Sequence, residues 1–191
     1  MSTIFNKEDV MIIAEVGQNH QGDLDIALEY IEVFSGYGAD VIKFQTRNNQ
    51  YLFSTDAYNK SYESENAFAE TYGKHREKLE LNPEWLPILK EKCKKHGVLF
   101  MSTPFDEPSL DLICDVGVDL IKVASFDLGN LPFIDRIAKK GFPVVISTGG
   151  GGIDVIKDSV KILQREQINI AVLHCVSEYP TPIEKLGLES I

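Results

Sequence analysis

Cysteine is scarce. Cys93, Cys114 and Cys175 are three in number and far apart, which excludes a disulfide framework and any zinc-ribbon spacing and points to a reducing compartment. Basic charge is short as well. Nineteen Lys and Arg stand against 29 Asp and Glu, a formal net charge of −10, so a general nucleic-acid or anionic-membrane surface is excluded and an anionic ligand would have to be met locally. Apolar runs of the roughly 18 residues that a membrane helix needs are missing. The opening MSTIFNKEDV shows no basic segment followed by an apolar one, so no leader is expected and the protein is expected to be cytoplasmic. No GxGxxG follows the first apolar run, which removes the dinucleotide fingerprint.

What is present is an ordinary globular composition. With 191 residues, 43% of them hydrophobic and 25% charged, the chain can bury a substantial core as one domain. Six short apolar runs recur, each ending in polar or glycine residues: MIIAEVGQNH from Met11, VIKFQT from Val41, VLFMSTP from Val98, LIKVAS from Leu120, VVISTGG from Val144 and IAVLHCVSEYP from Ile170. Between them lie helical patterns. Leu24 to Phe34 follows the cap candidate Asp23, Pro83 to His96 carries Trp85, Leu89 and Cys93 at helical spacing, and Ser109 to Asp115, Leu131 to Lys139 and Ile153 to Gln164 supply more. Strand alternating with helix reads as parallel α/β.

Polar residues close every run rather than one switch point, which favours a TIM (β/α)8 barrel over an open sheet. A small open α/β sheet is the alternative. A full barrel takes eight strands and about 250 residues. Residues 1–191 are therefore expected to be the N-terminal part of a single barrel domain, truncated after about six βα units. The longest connection, Arg47 to Leu81, is expected to form a wall or lid with a helix from about Glu63 to Lys78, or else a disordered flap.

Two lysines in core-type strands set the chemistry. Lys122 lies within LIKVASFD, and Lys43 shares a strand face with Gln45 in VIKFQT. A buried ammonium needs an anion or a carboxylate, so two suggest an anionic ligand; the alternative is that each is snorkelling or salt-bridged. Strand alternation puts Ile13, Glu15 and Gly17 on one face, sending Glu15 toward the same interior. Glu15 either neutralises a lysine or does acid/base or hydroxyl-binding work. Strands three to six end in the hydroxyls of Ser102 and Thr103, Ser125, Ser147 and Thr148, and Ser177, which suit phosphate or carboxylate oxygens. The run Gly149 to Gly152 cradles a phosphate or is a flexible turn. His20 is expected to be a surface turn residue or, alternatively, catalytic. His174 is expected to be a core histidine and Cys175 a buried thiol, since nothing pairs with them at metal spacing.

IAEVGQNHQGD, VIKFQT, STPFD, IKVAS, ISTG and LHCVSEYPTP, in this order and spacing, resemble the N-terminal barrel of the sialic acid synthase family, from about Ile12 to Ile191. That family includes enzymes for pseudaminic and legionaminic acid and for spore-coat polysaccharide. The resemblance implies condensation of phosphoenolpyruvate with an N-acyl amino sugar such as N-acetylmannosamine. It implies a phosphoenolpyruvate site of Lys43, Thr103, Lys122, Ser125, Ser147 and Ser177, and places Gln45, Glu15, Asp127 and Tyr179 around the acceptor sugar; Glu15, by its residue chemistry, is also the catalytic candidate. Ser125-Phe126-Asp127 departs from the Ser-Gly-Glu typical of N-acetylneuraminate synthases, and the glycine run departs from Thr-Gly-Met, which leaves the identity of the sugar open.

The resemblance further implies a divalent metal, manganese or magnesium, held by two histidines on strands seven and eight, outside this chain. It also implies a homodimer in which a C-terminal antifreeze-like domain reaches the partner's site. Residues 1–191 alone are expected to be inactive. Two other readings stay open on the residues themselves: a Schiff-base aldolase using Lys122, and a non-catalytic anion-binding fragment.

Overall fold

The computed structural model describes residues 4, 5 and 10–191. Residues 1–3 and 6–9, on which the expectation of no leader partly rests, lie outside the described residues. The chain divides into two compact units, Met11–Asp119 and one that contains Leu120–Ile191.

In Met11–Asp119, strands β1 (Ile13–Gly17), β2 (Val41–Thr46) and β3 (Leu99–Pro104) are parallel and pair in chain order. Val41, Ile42, Phe44, Phe100 and Met101 are fully buried, as expected of parallel strands covered on both faces. The Phe44 and Phe100 rings pack with centroids 5.9 Å apart. Helix α1 (Leu24–Gly36) starts where expected, its cap Asp23 accepting from the Ile26 N–H at 3.1 Å, and buries Ala27 and Ile31. The register decides the site: Glu15 lies beside Lys43, and Gln45 beside Thr103. Glu15 pairs with Lys43 but Gly17 pairs with Phe44, so Val16 is an extra, bulged residue. The bulge interrupts the regular two-residue alternation, yet Gly17 still lies on the Glu15 side, a Cβ there standing 3.0 Å from Glu15 Oε1.

The connection after β2 is ordered but differs from expectation. Short helices α2 (Asn49–Leu52) and α3 (Thr55–Asn59) lead to an isolated bridge between Ser61 and Thr71, and the helix expected from Glu63 begins only at Tyr72, as α4 (Tyr72–Lys78). Thr71 caps α4 by accepting from Lys74 N–H, while Ser64 Oγ accepts from Asn66 N–H and so favours a turn where helix was expected. A 3-10 turn at Pro83–Trp85 then enters α5 (Leu86–Lys95), which buries Leu86, Leu89 and Cys93. Asp106 caps α6 (Glu107–Val116) through Oδ1 and accepts from the Asn48 N–H through Oδ2 at 2.7 Å, tying the excursion to the end of β3.

In the second unit, β4 (Leu120–Val123), β5 (Val144–Ser147) and β6 (Ile170–Leu173) are again parallel and in chain order, with α7 (Leu131–Ala138) and α8 (Ile153–Arg165) between them. Every residue of β4 and β5 is buried. Strand β6 is the outer strand of its unit, and Val172 and Leu173 are exposed. His174 and Cys175 therefore do not lie in a core, contrary to expectation. His174 is exposed and donates from Nε2 to the Leu186 carbonyl at 2.6 Å, and the Cys175 thiol is only half-buried. Six parallel strands joined through helices establish the α/β class. No helix among the described residues is long and apolar enough to cross a membrane.

Candidate active site

The first cluster forms at the ends of β1 and β2. Side-by-side register brings the Lys43 ammonium onto Glu15 Oε2 as an ion pair, with the Glu15 side chain 42% exposed and that of Lys43 13%. Lys43 is thus salt-bridged here, one of the alternatives open for it. Gln45 Nε2 donates to Glu15 Oε1 at 3.3 Å. Gly17 has a positive φ of 58°, and a Cβ there would stand 3.0 Å from Glu15 Oε1 and 3.4 Å from Gln45 Nε2, so glycine leaves the space in which amide and carboxylate meet. Thr103 is buried next to Gln45 in β3, and the hydroxyls of Ser102 and Thr46 share a hydrogen bond of 2.7 Å.

The second cluster surrounds Lys122, which is 6% exposed. Its Nζ donates to the Val123 carbonyl and to Ser147 Oγ, both at 2.5 Å. Burial pulls the amine from its ordinary 10.5 down to about 8, slightly opposed by Cys175. The glycine run closes on Ser125: the Gly149 N–H donates to Ser125 Oγ at 3.1 Å, and Ser177 Oγ donates to the Gly149 carbonyl at 2.9 Å. A Cβ on Gly150 would stand 1.8 Å from the Ser125 carbonyl oxygen, so only glycine lets the two backbones approach. Ser125 and Ser177 thus meet at Gly149 while Ser147 meets the buried ammonium, and the hydroxyls of Ser125 and Ser147, which accept in these bonds, keep protons suited to anionic oxygens.

Other candidates are placed differently. Asp127 is 2% exposed, and its Oδ1 accepts from Asn130 Nδ2 at 3.3 Å, just ahead of α7. Tyr179 is 97% exposed. His20, read as a surface turn residue or a catalytic one, is fully buried, its ring 6.1 Å from that of Phe44 and its Nδ1 accepting from the Gly22 N–H at 3.1 Å. Burial pulls His20 down to about 4, against the opposing pulls of the Gly17 backbone and Asp23, so it is neutral at pH 7. Among the described residues no group of three or more His, Cys, Asp or Glu is arranged to hold a metal ion.

Comparison with known proteins gives the lineage. The NeuB family model matches residues 30–191. The chain belongs to the NeuB family. NeuB relatives include the human N-acetylneuraminate-9-phosphate synthase, 36% identical over 180 residues, a match spanning 94% of this chain and 50% of the human protein. Another is the N,N'-diacetyllegionaminic acid synthase of Campylobacter jejuni, 35% identical over 185 residues, 95% of this chain and 55% of that one. The chain spans about half the length of the curated NeuB relatives it matches. Among solved structures, the N-acetylneuraminic acid synthetase of Leptospira borgpetersenii in complex with citrate superposes with a TM-score of 0.83 at 30% identity, covering 100% of this chain and 65% of that one.

The NeuB chain also places residues at the site that its sequence did not announce. Arg47 donates from Nη2 to Gln45 Oε1 at 2.5 Å and from Nη1 to Glu80 Oε1 at 3.1 Å, and Gln18 Nε2 donates to the same Glu80 oxygen at 2.6 Å. The only sequence signal was an arginine two positions beyond Gln45 as the chain leaves a core strand. Its partner lies 33 residues further on.

Proposed function

We propose that this chain carries the phosphoenolpyruvate and part of the acceptor site of a sugar-acid synthase, within a (β/α)8 barrel completed by further strands. Phosphoenolpyruvate would condense with an open-chain N-acyl amino sugar to a nine-carbon sialic-acid-type acid, releasing phosphate. The observation that carries the reading is Lys122: a buried ammonium with no ion-pair partner among the described residues, its protons directed at Ser147 Oγ and a backbone carbonyl, in the same unit as Ser125, Ser177 and the glycine run. A cation so placed is offset by an anionic ligand.

In the proposed reaction C3 of phosphoenolpyruvate forms a bond to the aldehyde carbon, whose oxygen takes up a proton. Water adds at C2, and phosphate departs with the C2–O bond. Lys122 offsets the charge of the phosphate and carboxylate. Glu15, held by Lys43 and by the Gln45 amide, is the acid/base or acceptor-binding group. Asp127 and Tyr179 take part in acceptor binding, Asp127 from a buried position. Among the described residues no group fits a metal site; a divalent ion and homodimerisation would belong to the whole protein.

The test is calorimetric titration of the whole protein with phosphoenolpyruvate. Micromolar to millimolar binding that Lys122→Met abolishes is expected, and unchanged binding by that variant refutes the site.

One observation favours a second reading. An amine of pKa about 8 is neutral for roughly a tenth of molecules at pH 7, enough for a Schiff base with a carbonyl substrate. Borohydride reduction with pyruvate or an aldose present separates the two: a covalent adduct on Lys122 supports the aldolase, and its absence supports the synthase.

A further inference from the structure

We infer that Arg47, anchored on Glu80, is a positioning residue that fixes the side-chain amide of Gln45 and, through it, the Glu15 carboxylate. Its role in turnover rests on the synthase reading above; its hold on Gln45 does not.

Gln45 and Arg47 are two residues apart on chain that leaves β2 extended, so both side chains emerge on the same side. The guanidinium is enclosed, with its side chain 5% exposed and that of Glu80 12%. One edge of the fork meets Glu80, the other meets Gln45, and the plane lies over the Phe105 ring at 4.2 Å. Glu80 is held in turn by Gln18. An arginine only donates, so the Gln45 oxygen must face Arg47 and the Gln45 nitrogen must face Glu15, as the 3.3 Å contact has it. The flipped amide would set its oxygen against a carboxylate and its NH2 against a cation. On the remaining side the Gly17 backbone comes close enough that a single methyl would touch both groups.

The ion pair is poorly explained as a source of stability. Burial pulls Arg47 down and pushes Glu80 up, each against the opposing pull of the other, and a buried pair often contributes no more than an apolar pair of the same volume. What a fork supplies that an apolar pair cannot is direction: two fixed N–H vectors, one spent on an anchor and one on the amide. The resulting chain, Gln18 to Glu80 to Arg47 to Gln45 to Glu15, ends at the carboxylate that Lys43 also holds.

Two readouts test the role, both in the whole protein. The first needs no turnover: with glutamine side chains labelled with 15N and the Gln45 signal assigned by its loss in Gln45→Leu, the two amide protons of Gln45 should be well separated. In Arg47→Met they should collapse to the positions of a free amide; an unchanged Gln45 signal overturns the proposal. The second is a kinetic cycle. Arg47→Met should lower kcat/KM for the acceptor sugar by about tenfold or more, with the KM for phosphoenolpyruvate within about twofold of its starting value. Arg47→Lys, a point charge without a fork, should restore only part. In a Gln45→Leu background Arg47→Met should cost less than about twofold, because its route of action is already gone.

An equal loss in both backgrounds, or a parallel loss for phosphoenolpyruvate, marks a merely structural arginine and overturns the proposal. If Arg47→Met does not fold, Arg47→Lys carries both readouts. A collapsed Gln45 signal together with no condensation by any variant, the parent protein included, upholds the hold on Gln45 and refutes the synthase reading instead.

Discussion

Replacing Lys122 with methionine should stabilise the protein at neutral pH while removing its anion site. The drop of the buried amine from 10.5 to about 8 means that the charged form is penalised on folding by about 3 kcal/mol. Methionine fills a similar volume without charge. Against this, the Val123 carbonyl and Ser147 Oγ lose their donor, at about 1 kcal/mol each. The net expectation at pH 7 is a variant more stable by about 1 kcal/mol.

The sign must reverse with pH. Below pH 8 the lysine is charged in both states and the penalty is fully present. Between pH 8 and 10.5 the folded state has given up the proton that the unfolded state keeps, so the parent protein gains stability as pH rises. Above 10.5 the penalty is gone, and the variant should be the less stable one by about 2 kcal/mol. All other groups titrate alike in the two proteins, so the difference in urea midpoints, taken at a common slope, isolates Lys122. A variant less stable at pH 7, with a gap that does not change up to pH 10.5, refutes the account of an ammonium penalised by burial.

Further expectations follow from particular contacts. Gly150→Ala should cost about 1–3 kcal/mol and weaken phosphoenolpyruvate binding, because its methyl would meet the Ser125 carbonyl oxygen at 1.8 Å; calorimetry and urea melts read both effects. Asp127→Ala should raise the acceptor KM while sparing phosphoenolpyruvate affinity, and steady-state kinetics with equal losses for both substrates would contradict it. Cys93, whose thiol burial pushes up to about 12, should resist alkylation in the native protein while Cys114 and Cys175 react, as mass spectrometry of partly labelled protein would show.

Much of the fold was legible because strands covered on both sides are written as uninterrupted apolar runs, and helices between them as spaced apolar positions behind caps such as Asp23. The start of α4 was not, since Ser64 and Thr71 supply local hydrogen bonds that no apolar period reports. The Val16 bulge was hidden because register is fixed by the partner strand rather than by β1 itself. His20 and His174 were misplaced for opposite reasons. The first sits in a polar loop that folds under Phe44, and the second in an apolar run at the outer strand of its unit. That Glu15, Lys43 and Gln45 lie side by side was readable from alternation along β1 and β2, and so, in the other unit, was the burial of Lys122. Arg47 and Glu80 were not, because an ion pair across 33 residues leaves no local signature.

The most direct test of the central claim supplies the whole protein with phosphoenolpyruvate carrying 18O in the C2–O–P bridge, together with N-acetylmannosamine and related N-acyl amino sugars. Water addition at C2 followed by loss of phosphate predicts a nine-carbon sugar acid and an equal amount of phosphate that holds the label. Label retained on the organic product, or phosphate released with pyruvate and no new carbon–carbon bond, would contradict it.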